Sequence, residues 1–331
     1  MAASESDRIA QLSEIFGVQR RTTPLAIGDD AAVVRNRGDY SVTSVDAVVD
    51  GVHFLRKTYP ARAIGRKATA AALSDLAAMG TLASEVYVAA GIPADVDDAE
   101  FTELAAGIAE TAERANAVVV GGDLTDSPVL WLSVTVVGYA DRFDDVVTRA
   151  GATEADVVAV TGTLGASAAA IELLAADAPP AVPEKLRERL TARQLAPTPL
   201  IEVGRALAAI DISAMLDVSD GVARDSDNLA RASGHDVLIE LARLPIDPAA
   251  ADFADRLGRE PTTFAAASGE EYELLVALHS ELLTEARRIC DQHETNLTVI
   301  GRVGSPAGDQ ATTQLLDSDG RVVVVRGFEH F

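Results

Sequence analysis

The sequence is poor in cysteine and has no long apolar segment. Cys290 is the only cysteine, so no intrachain disulfide can form, and we expect it to be a small buried hydrophobe on a helix. No apolar run approaches the roughly 20 residues that span a bilayer. The polar, acidic start MAASESDRIA has no signal-peptide core. These absences predict a protein of the reducing cytoplasm.

Positive charge is scarce as well. The only lysines are Lys57, Lys67 and Lys185, and 28 Lys+Arg face 51 Asp+Glu, for a net charge of −23. This balance repels nucleic acids and anionic membranes, so neither is expected as a partner. The chain has no G-x-x-x-x-G-K-[ST], no protein-kinase catalytic loop and no G-x-G-x-x-G after a strand. If the chain binds ATP, bound cations must therefore supply most of the positive charge.

The length of 331 residues favours two domains, because one core usually serves no more than roughly 250–300 residues. Helical spacing over 101–115 and strand alternation over 129–140 are followed by a polar, weakly periodic stretch at 139–156. Strands and helices resume beyond it. We predict a mixed α/β fold with domains 1–147 and 148–331. In the first, VVVGGD (118–123) reads as a strand that ends in a glycine turn.

Aspartates recur where the predicted strands end, beside glycine or small polar residues. The motifs IGDDAAVV, SVDAVVDGVHF, VVGGDLTDS and LDVSDGVARD contribute Asp29, Asp30, Ser44, Asp46, Asp50, His53, Asp123, Asp126, Asp217, Ser219, Asp220 and Asp225. Any one of these aspartates is best explained as a turn former. Their joint placement at strand ends, where α/β folds carry ligand sites, favours a functional site.

Asp75 has a different setting. It lies in GRKATAAALSDLAAMG, which has the composition of a helix, and shares a face with Ala68, Ala71, Ala72 and Met79. A carboxylate on an apolar face is costly unless it is paired or binds a metal. A helix-end aspartate with a local hydrogen bond is the alternative.

The acidic residues predict a site for several hard cations. Gathered carboxylates raise each other's pKa, and an oxygen-only ligand set indicates Mg²⁺ or Mn²⁺. The five histidines form no zinc spacing with Cys290. Mg²⁺ usually meets phosphates, and Gly121 and Gly122 allow backbone amides to approach them. The stretch TGTLGASAAA (161–170) could seat an anion at a helix N-terminus, although a plain loop-to-helix entry is the better reading. Arg149 is the best arginine candidate for a nucleotide contact.

Together these motifs resemble the thiamine-monophosphate kinases, a family of the ATP-binding superfamily that includes aminoimidazole ribonucleotide synthetase and selenophosphate synthetase. The similarity runs nearly end to end, through IGDDAAV, SVDAVVDGVHF, RKATAAALSDLAAMG, VVGGDLTDS, TRAGA, VTGTLGASAAA, LDVSDGVARD, SGEEYELL and RGFEHF. It implies a two-domain PurM-like architecture. The N-terminal ATP- and Mg²⁺-binding domain would join its sheet to that of a second copy across a dimer axis. The C-terminal α/β sandwich would add metal and substrate residues.

The resemblance also implies a reaction and roles for single residues. The γ-phosphoryl group of ATP would pass directly to thiamine monophosphate, giving thiamine diphosphate, with several Mg²⁺ ions and no general base. The implied metal ligands are Asp30, Ser44, Asp46, Asp75, Asp123, Asp217 and Asp220. The implied ATP contacts are Gly121, Gly122, Arg149 and Ser219, and the implied thiamine-phosphate contacts are His53, Glu271 and Phe328.

Three positions depart from the family pattern. Val45 replaces a frequent threonine, so a hydroxyl ligand is expected to be lost there. Glu271 stands where aspartate is common, which changes the reach into the substrate pocket. Phe328 replaces tryptophan or tyrosine, so it keeps an aromatic face without a polar group.

Two other classes of function remain open at this stage. One is another small-molecule kinase or ATP-activating synthetase of the same superfamily, whose first half would look similar. The other is a non-catalytic protein that only binds divalent cations, which explains the charge but neither the glycines nor Asp75 on its helix.

Overall fold

A computed structural model describes residues 5–17, 23–27, 31–175, 180–305 and 310–328. The chain forms two compact units, each assembled from separate stretches. The first comprises Met1–Leu76, Thr81–Phe143 and Leu195–Pro199, and the second Ala77–Gly80, Asp144–Gln194 and Leu200–Phe331. Both contain helices and strands, so the predicted mixed α/β class is confirmed.

The helices and strands follow one another in both units. The α-helices are α1 (Glu5–Phe16), α2 (Ala61–Ala78), α3 (Asp98–Arg114), α4 (Ala166–Ala175), α5 (Glu184–Leu195), α6 (Ile201–Ala208), α7 (Val222–Ser233), α8 (Pro248–Arg256), α9 (Pro261–Ala266) and α10 (Leu283–Gln292). The strands are β1 (Tyr40–Val49), β2 (Leu82–Ile92), β3 (Val118–Asp126), β4 (Trp131–Ala140), β5 (Val157–Thr161), β6 (Ala214–Asp217), β7 (Val237–Glu240), β8 (Leu274–Leu278), β9 (Leu297–Val303), β10 (Thr313–Leu316) and β11 (Val322–Val323).

The first unit is built on a four-stranded sheet with the order β1-β4-β2-β3. Only the β2–β3 pair is parallel. As predicted, β4 alternates, and its side chains Leu132, Val134 and Val136 are fully buried on one face. Helix α3 begins at Asp97, whose side chain accepts a hydrogen bond from the Glu100 backbone N–H, and it buries Phe101 and its apolar neighbours.

The opposite face of this sheet is open. Val45 on β1 is 61% exposed, and its strand partner Thr135 is half-buried. Because side chains alternate along a strand, Val45 lies on the other face from Ser44 and Asp46. The valine therefore removes no hydroxyl from the face that carries those two residues.

The predicted glycine turn after VVV is wrong. Strand β3 continues through Gly121 and Gly122 to Asp126, and these residues pair with β2 after a register shift at Val86/Tyr87. A side chain at Gly122 would place its Cβ 1.9 Å from the Val88 carbonyl oxygen. The glycine is therefore required by the close approach of two strands, which a sequence pattern alone does not distinguish from a turn.

The second unit is built on a seven-stranded sheet with the order β11-β10-β7-β9-β5-β8-β6. Helix α7 packs against β6, β7, β8 and β10, while α10 packs against α6 and β9. On β5, Val158, Ala159 and Val160 are all fully buried although they point to alternating faces. Both faces of the sheet are therefore covered, as in an α/β sandwich.

Cys290 lies on α10 and is fully buried, as predicted. Burial raises the pKa of its thiol to about 12. In the ranges that the structure describes, no helix combines the length and the apolar character needed to cross a bilayer.

Candidate functional site

A group of three oxygen-bearing side chains joins β1 to α2. The Ser44 hydroxyl donates a short hydrogen bond to Asp75 Oδ2, and the Asp46 carboxyl is also hydrogen-bonded to Asp75. Alternation along β1 brings Ser44 and Asp46 to the same face, and the helical prediction for Asp75 is confirmed. The pKa of Asp46 is raised to about 6. Burial is the largest cause, followed by the charge of Asp75 and the hydrogen bond to Asp75.

The donor set of this group fits a hard divalent cation. It offers only carboxylate and hydroxyl oxygens, and its two carboxylates are hydrogen-bonded to each other, so one of them must hold a proton unless a cation separates them. Among the described residues, no cluster of three or more His, Cys, Asp or Glu side chains could hold a metal. Asp30 lies outside the described residues.

Asp123 stands apart from this group. A row of residues paired across neighbouring strands runs from Asp46 on β1 through Val134 on β4 and Val88 on β2 to Gly122 on β3. Asp46 and Gly122 therefore lie at opposite edges of the sheet. Three strand spacings amount to roughly 14 Å. Asp123 is the next residue on β3 and is exposed. Although Asp123 and Asp46 belong to the same sheet, they are therefore not neighbours.

His53 lies in the turn that follows β1. The Val49 backbone N–H donates to His53 Nδ1 at 3.1 Å, which places the ring proton of the neutral imidazole on Nε2. The Asp50 carboxylate accepts from the Arg56 backbone N–H at 2.9 Å. The Arg56 guanidinium then pairs with Glu100 on α3, with Nε to Oε1 at 2.6 Å. The turn is thus tied to α3, and Asp50 has a structural role in it.

The first unit also contains a large cavity that the sequence did not predict. Its volume is about 840 Å³, and its walls come from α1, α3, β2 and β3. Apolar side chains of α3, among them Phe101, Leu104 and Ile108, form one side, and Gly121, Gly122 and Asp123 border it. A cavity of this kind, apolar with a few polar groups at its rim, is typical of a small-molecule site.

In the second unit, Asp217 ends β6 and is buried, and the chain then passes through Asp220 and Gly221 (φ 102°) into α7. Asp225, in the first turn of α7, accepts from the Asp220 backbone N–H at 3.0 Å. Burial, and then the Asp217 charge, raise the pKa of Asp225 to about 8. Asp225 therefore holds the loop that carries Asp217 and Asp220.

The C-terminal segment meets the same loop. The Phe328 backbone N–H donates to the Asp220 carbonyl at 3.0 Å, and the Phe328 ring is about half exposed. The Arg224 guanidinium lies 3.2 Å from Asp220 Oδ2. Two predicted site residues that are far apart in sequence are thus neighbours.

Glu271 occupies a buried position beside the same loop. Its Oε1 accepts from the Gly165 N–H at 2.6 Å, the Ser167 N–H at 3.3 Å and the Ser268 hydroxyl at 2.5 Å. The N-terminus of α4, which the sequence offered as an anion seat, is therefore filled by a carboxylate of the chain itself. Burial raises the pKa of Glu271 to about 7, against the lowering effect of Arg193.

Ser219 and Arg149 complete the predicted nucleotide contacts. Ser219 is half-buried, and its carbonyl accepts from the Glu270 N–H at 2.7 Å, so the Glu271 segment runs beside it. Arg149 is exposed. The carbonyl of its neighbour Thr148 accepts a hydrogen bond of 3.1 Å from the backbone N–H of Met215 on β6.

Residues 28–140 match the family described as "AIR synthase related protein, N-terminal domain". This part of the chain is therefore of the AIR-synthase-related class. Over the full chain, the thiamine-monophosphate kinase of Mycobacterium tuberculosis (strain ATCC 25618 / H37Rv) is 33% identical, covering 97% of this chain and 90% of the relative. The chain belongs to the thiamine-monophosphate kinase family.

Solved structures agree with this assignment. The crystal structure of thiamine-monophosphate kinase from Stenotrophomonas maltophilia K279a has a TM-score of 0.82 and 30% identity, covering 98% of this chain and 99% of that one. A structure described as AaThiL complexed with AMPPCP and TMP has a TM-score of 0.77 and 29% identity, covering 99% and 97%. The predicted PurM-like fold is thereby confirmed.

Proposed function

We propose that the protein transfers the γ-phosphoryl group of ATP to thiamine monophosphate, giving thiamine diphosphate and ADP. Full-length similarity to thiamine-monophosphate kinases supports this activity, and so does the likeness to a structure that holds AMPPCP, an ATP analogue, together with TMP. The observation in this chain that carries it is the contact of Ser44, Asp46 and Asp75, an oxygen-only set suited to Mg²⁺.

The proposed Mg²⁺ ligands are the seven acidic and hydroxyl residues that the sequence indicated: Asp30, Ser44, Asp46, Asp75, Asp123, Asp217 and Asp220. When bound, Mg²⁺ ions neutralise the charge of two anionic substrates that would otherwise repel each other. Asp30, Asp75 and Asp217 are assigned to the transferring end of the triphosphate, and Asp46 and Asp123 to the remainder.

The chain's own contribution is positioning. The acceptor is a phosphate whose second pKa is about 6, so it is largely ionised at neutral pH and no side chain has to remove a proton. Arg149 and Ser219 are proposed to contact the nucleotide. His53, Phe328 and the turn that carries the buried Glu271 are proposed to contact the thiamine phosphate. Holding both substrates in line is the main source of rate.

The cavity of the first unit is proposed as the seat of the nucleotide base. Its apolar α3 wall suits a flat heterocycle, and Gly121 at its rim presents its backbone without a side chain. Gly122 is held against Val88, so it shapes the rim through the backbone.

The deciding experiment is an assay of the purified protein with ATP, Mg²⁺ and thiamine monophosphate, with thiamine diphosphate measured by chromatography. We expect turnover that is abolished by a chelator and restored by Mg²⁺. Consumption of ATP with another small molecule, and none with thiamine monophosphate, would instead identify a different kinase or synthetase of the superfamily. Binding of Mg²⁺ without any binding of an ATP analogue would leave only a cation-binding protein.

We also propose a homodimer formed through the open face of the first unit's sheet. Val45 supports it, because this apolar side chain is 61% exposed on that face and exposed apolar surface is typical of a protein–protein interface. Trp131 and Thr135 on the same face are half-buried. Light scattering should give about twice the 34.5 kDa chain mass for the wild type. Val45→Asp should give one chain mass, whereas Val52→Asp, at an exposed position in the turn after β1, should not. A wild-type monomer contradicts the proposal.

A further inference from the structure

The second unit contains a buried charge network that joins the predicted site residue Glu271 to Arg193 and Glu273, two residues that the sequence did not indicate. Glu271 and Glu273 are both buried, with side chains 0% and 5% exposed. Arg193 of α5 contacts both: its Nε lies 3.4 Å from Glu271 Oε2, and its Nη2 forms a short ion pair with Glu273 Oε1. Two buried carboxylates side by side repel each other unless one holds a proton or a cation lies between them, and Arg193 supplies such a cation.

The same arginine also holds the backbone. Arg193 Nη2 donates to the Glu271 carbonyl at 2.9 Å. The residues on either side of Glu271 are both left-handed, Glu270 at φ 57° and Tyr272 at φ 54°. Non-glycine residues adopt this conformation at an energetic cost, and such residues cluster at functional sites. Arg193 therefore stabilises a strained turn around the buried Glu271, in the segment predicted to bind the substrate.

Glu271 is fixed from two sides. The α4 N-terminus and Ser268 occupy Oε1, while Oε2 is buried with no hydrogen-bond partner in the described structure and lies 3.4 Å from Arg193 Nε. A backbone hydrogen bond from Glu270 to Ser219 then ties this turn to the loop of Asp217 and Asp220. A shift of Arg193 would be transmitted to both.

We propose that Arg193 is a positioning residue for thiamine monophosphate, which acts by holding Glu271 and its left-handed turn in the binding conformation. This inference rests on the proposed function and goes beyond it, because it assigns specificity for the acceptor to a residue that need not touch it. Arg193 reaches three partners at once through its planar guanidinium, and a lysine cannot reproduce this.

The test compares Arg193→Met and Arg193→Lys with Arg189→Gln. Arg189 lies one turn earlier on α5 and pairs with Asp247, so it is a matched control. We expect Arg193→Met to raise KM for thiamine monophosphate at least about 10-fold and KM for ATP less than about 2-fold. Arg193→Lys should be intermediate, and Arg189→Gln should match the wild type.

A pH profile separates positioning from simple loss of structure. The charged groups packed against Glu271 are Arg193 and Glu273, and Arg193 lowers the Glu271 pKa. Its removal should therefore move the acidic limb of kcat/KM for thiamine monophosphate to higher pH. If Arg193→Met does not fold, the KM values and the pH profile are measured on Arg193→Lys instead.

Two results would overturn the proposal. One is an unchanged KM and pH limb in a folded variant, and the other is an equal loss for both substrates that follows the melting temperature. A wild-type enzyme without turnover of thiamine monophosphate contradicts the proposed function instead, and binding of an ATP analogue to the wild type then shows that the protein is intact.

Discussion

The Ser44 hydroxyl on β1 donates a hydrogen bond to the Asp75 carboxylate on α2, and Asp46 on the same strand contacts Asp75 as well. Ser44 and Asp75, which are 31 positions apart in the chain, thus meet with Asp46 in a group of three oxygen-bearing side chains.

Loss of one carboxylate should change the Mg²⁺ requirement. We expect Asp75→Asn and Asp46→Asn each to lower kcat at least about 100-fold and to raise the Mg²⁺ concentration for half-maximal rate. Asp141→Asn, at an exposed position directly after β4, should leave both nearly unchanged. Titration of activity against Mg²⁺ is the measurement. Equal loss of activity with no change in the Mg²⁺ requirement would refute the ligand assignment.

The raised pKa of Asp46 predicts a pH-dependent stability in the presence of a chelator. When the pH exceeds the ordinary aspartate pKa of 3.8, Asp46 loses its proton in the unfolded chain, whereas in the folded protein it keeps the proton up to about pH 6. Folding is therefore disfavoured progressively as pH rises from about 4 to about 6, by up to about 2–3 kcal/mol. Asp46→Asn should remove this part of the slope, as measured by urea unfolding at pH 4.5 and pH 7.5. Parallel curves for the two proteins would contradict the assignment.

The two glycines of β3 should respond differently to alanine. In Gly122→Ala the new Cβ would lie 1.9 Å from the Val88 carbonyl oxygen, so β2 and β3 must separate. We expect a loss of roughly 1–3 kcal/mol in the free energy of unfolding. In Gly121→Ala the nearest atom, on Tyr87, lies at 3.5 Å, an ordinary contact. Urea unfolding of the pair measures the difference, and equal stabilities would show that the two strands are not held so closely.

Arg56 should affect binding through His53. Its pairing with Glu100 and its backbone N–H bond to Asp50 hold the His53 turn against α3. Arg56→Gln should raise KM for thiamine monophosphate about 5-fold with little effect on KM for ATP. Arg62→Gln breaks comparable pairs with Glu103 and Glu110 elsewhere on α3 and serves as the control. Similar KM values for both variants would exclude a role of this turn in binding.

The fold could be predicted well from the sequence because its strands and helices carry clear periodicity. The alternation in β4 and the apolar spacing of α3 both correspond to observed elements. The glycines of β3 were misread, since GGD in a turn and GGD against a neighbouring strand look the same in one dimension. Whether Gly122 belongs to a strand or to a turn depends on Val88, which precedes it by more than 30 residues and pairs with it only in the folded sheet.

The candidate site could be predicted only in part. A single sequence shows which residues are acidic and where strands end, and this was enough to indicate Ser44, Asp46 and Asp75. It does not show that Glu271 caps α4 or that Arg193 joins it, because both depend on packing between distant segments. The apolar cavity was missed for the same reason, since the α3 residues that line it resemble ordinary core positions.

The chain passes between its two units more often than a pair of consecutive domains requires. Ala77–Gly80 belongs with the second unit although it directly follows Leu76, and Leu195–Pro199 belongs with the first although it follows Gln194. A gene cut at any single codon would deprive at least one half of a segment that completes it. Neither unit can therefore be encoded complete by one continuous stretch of the gene.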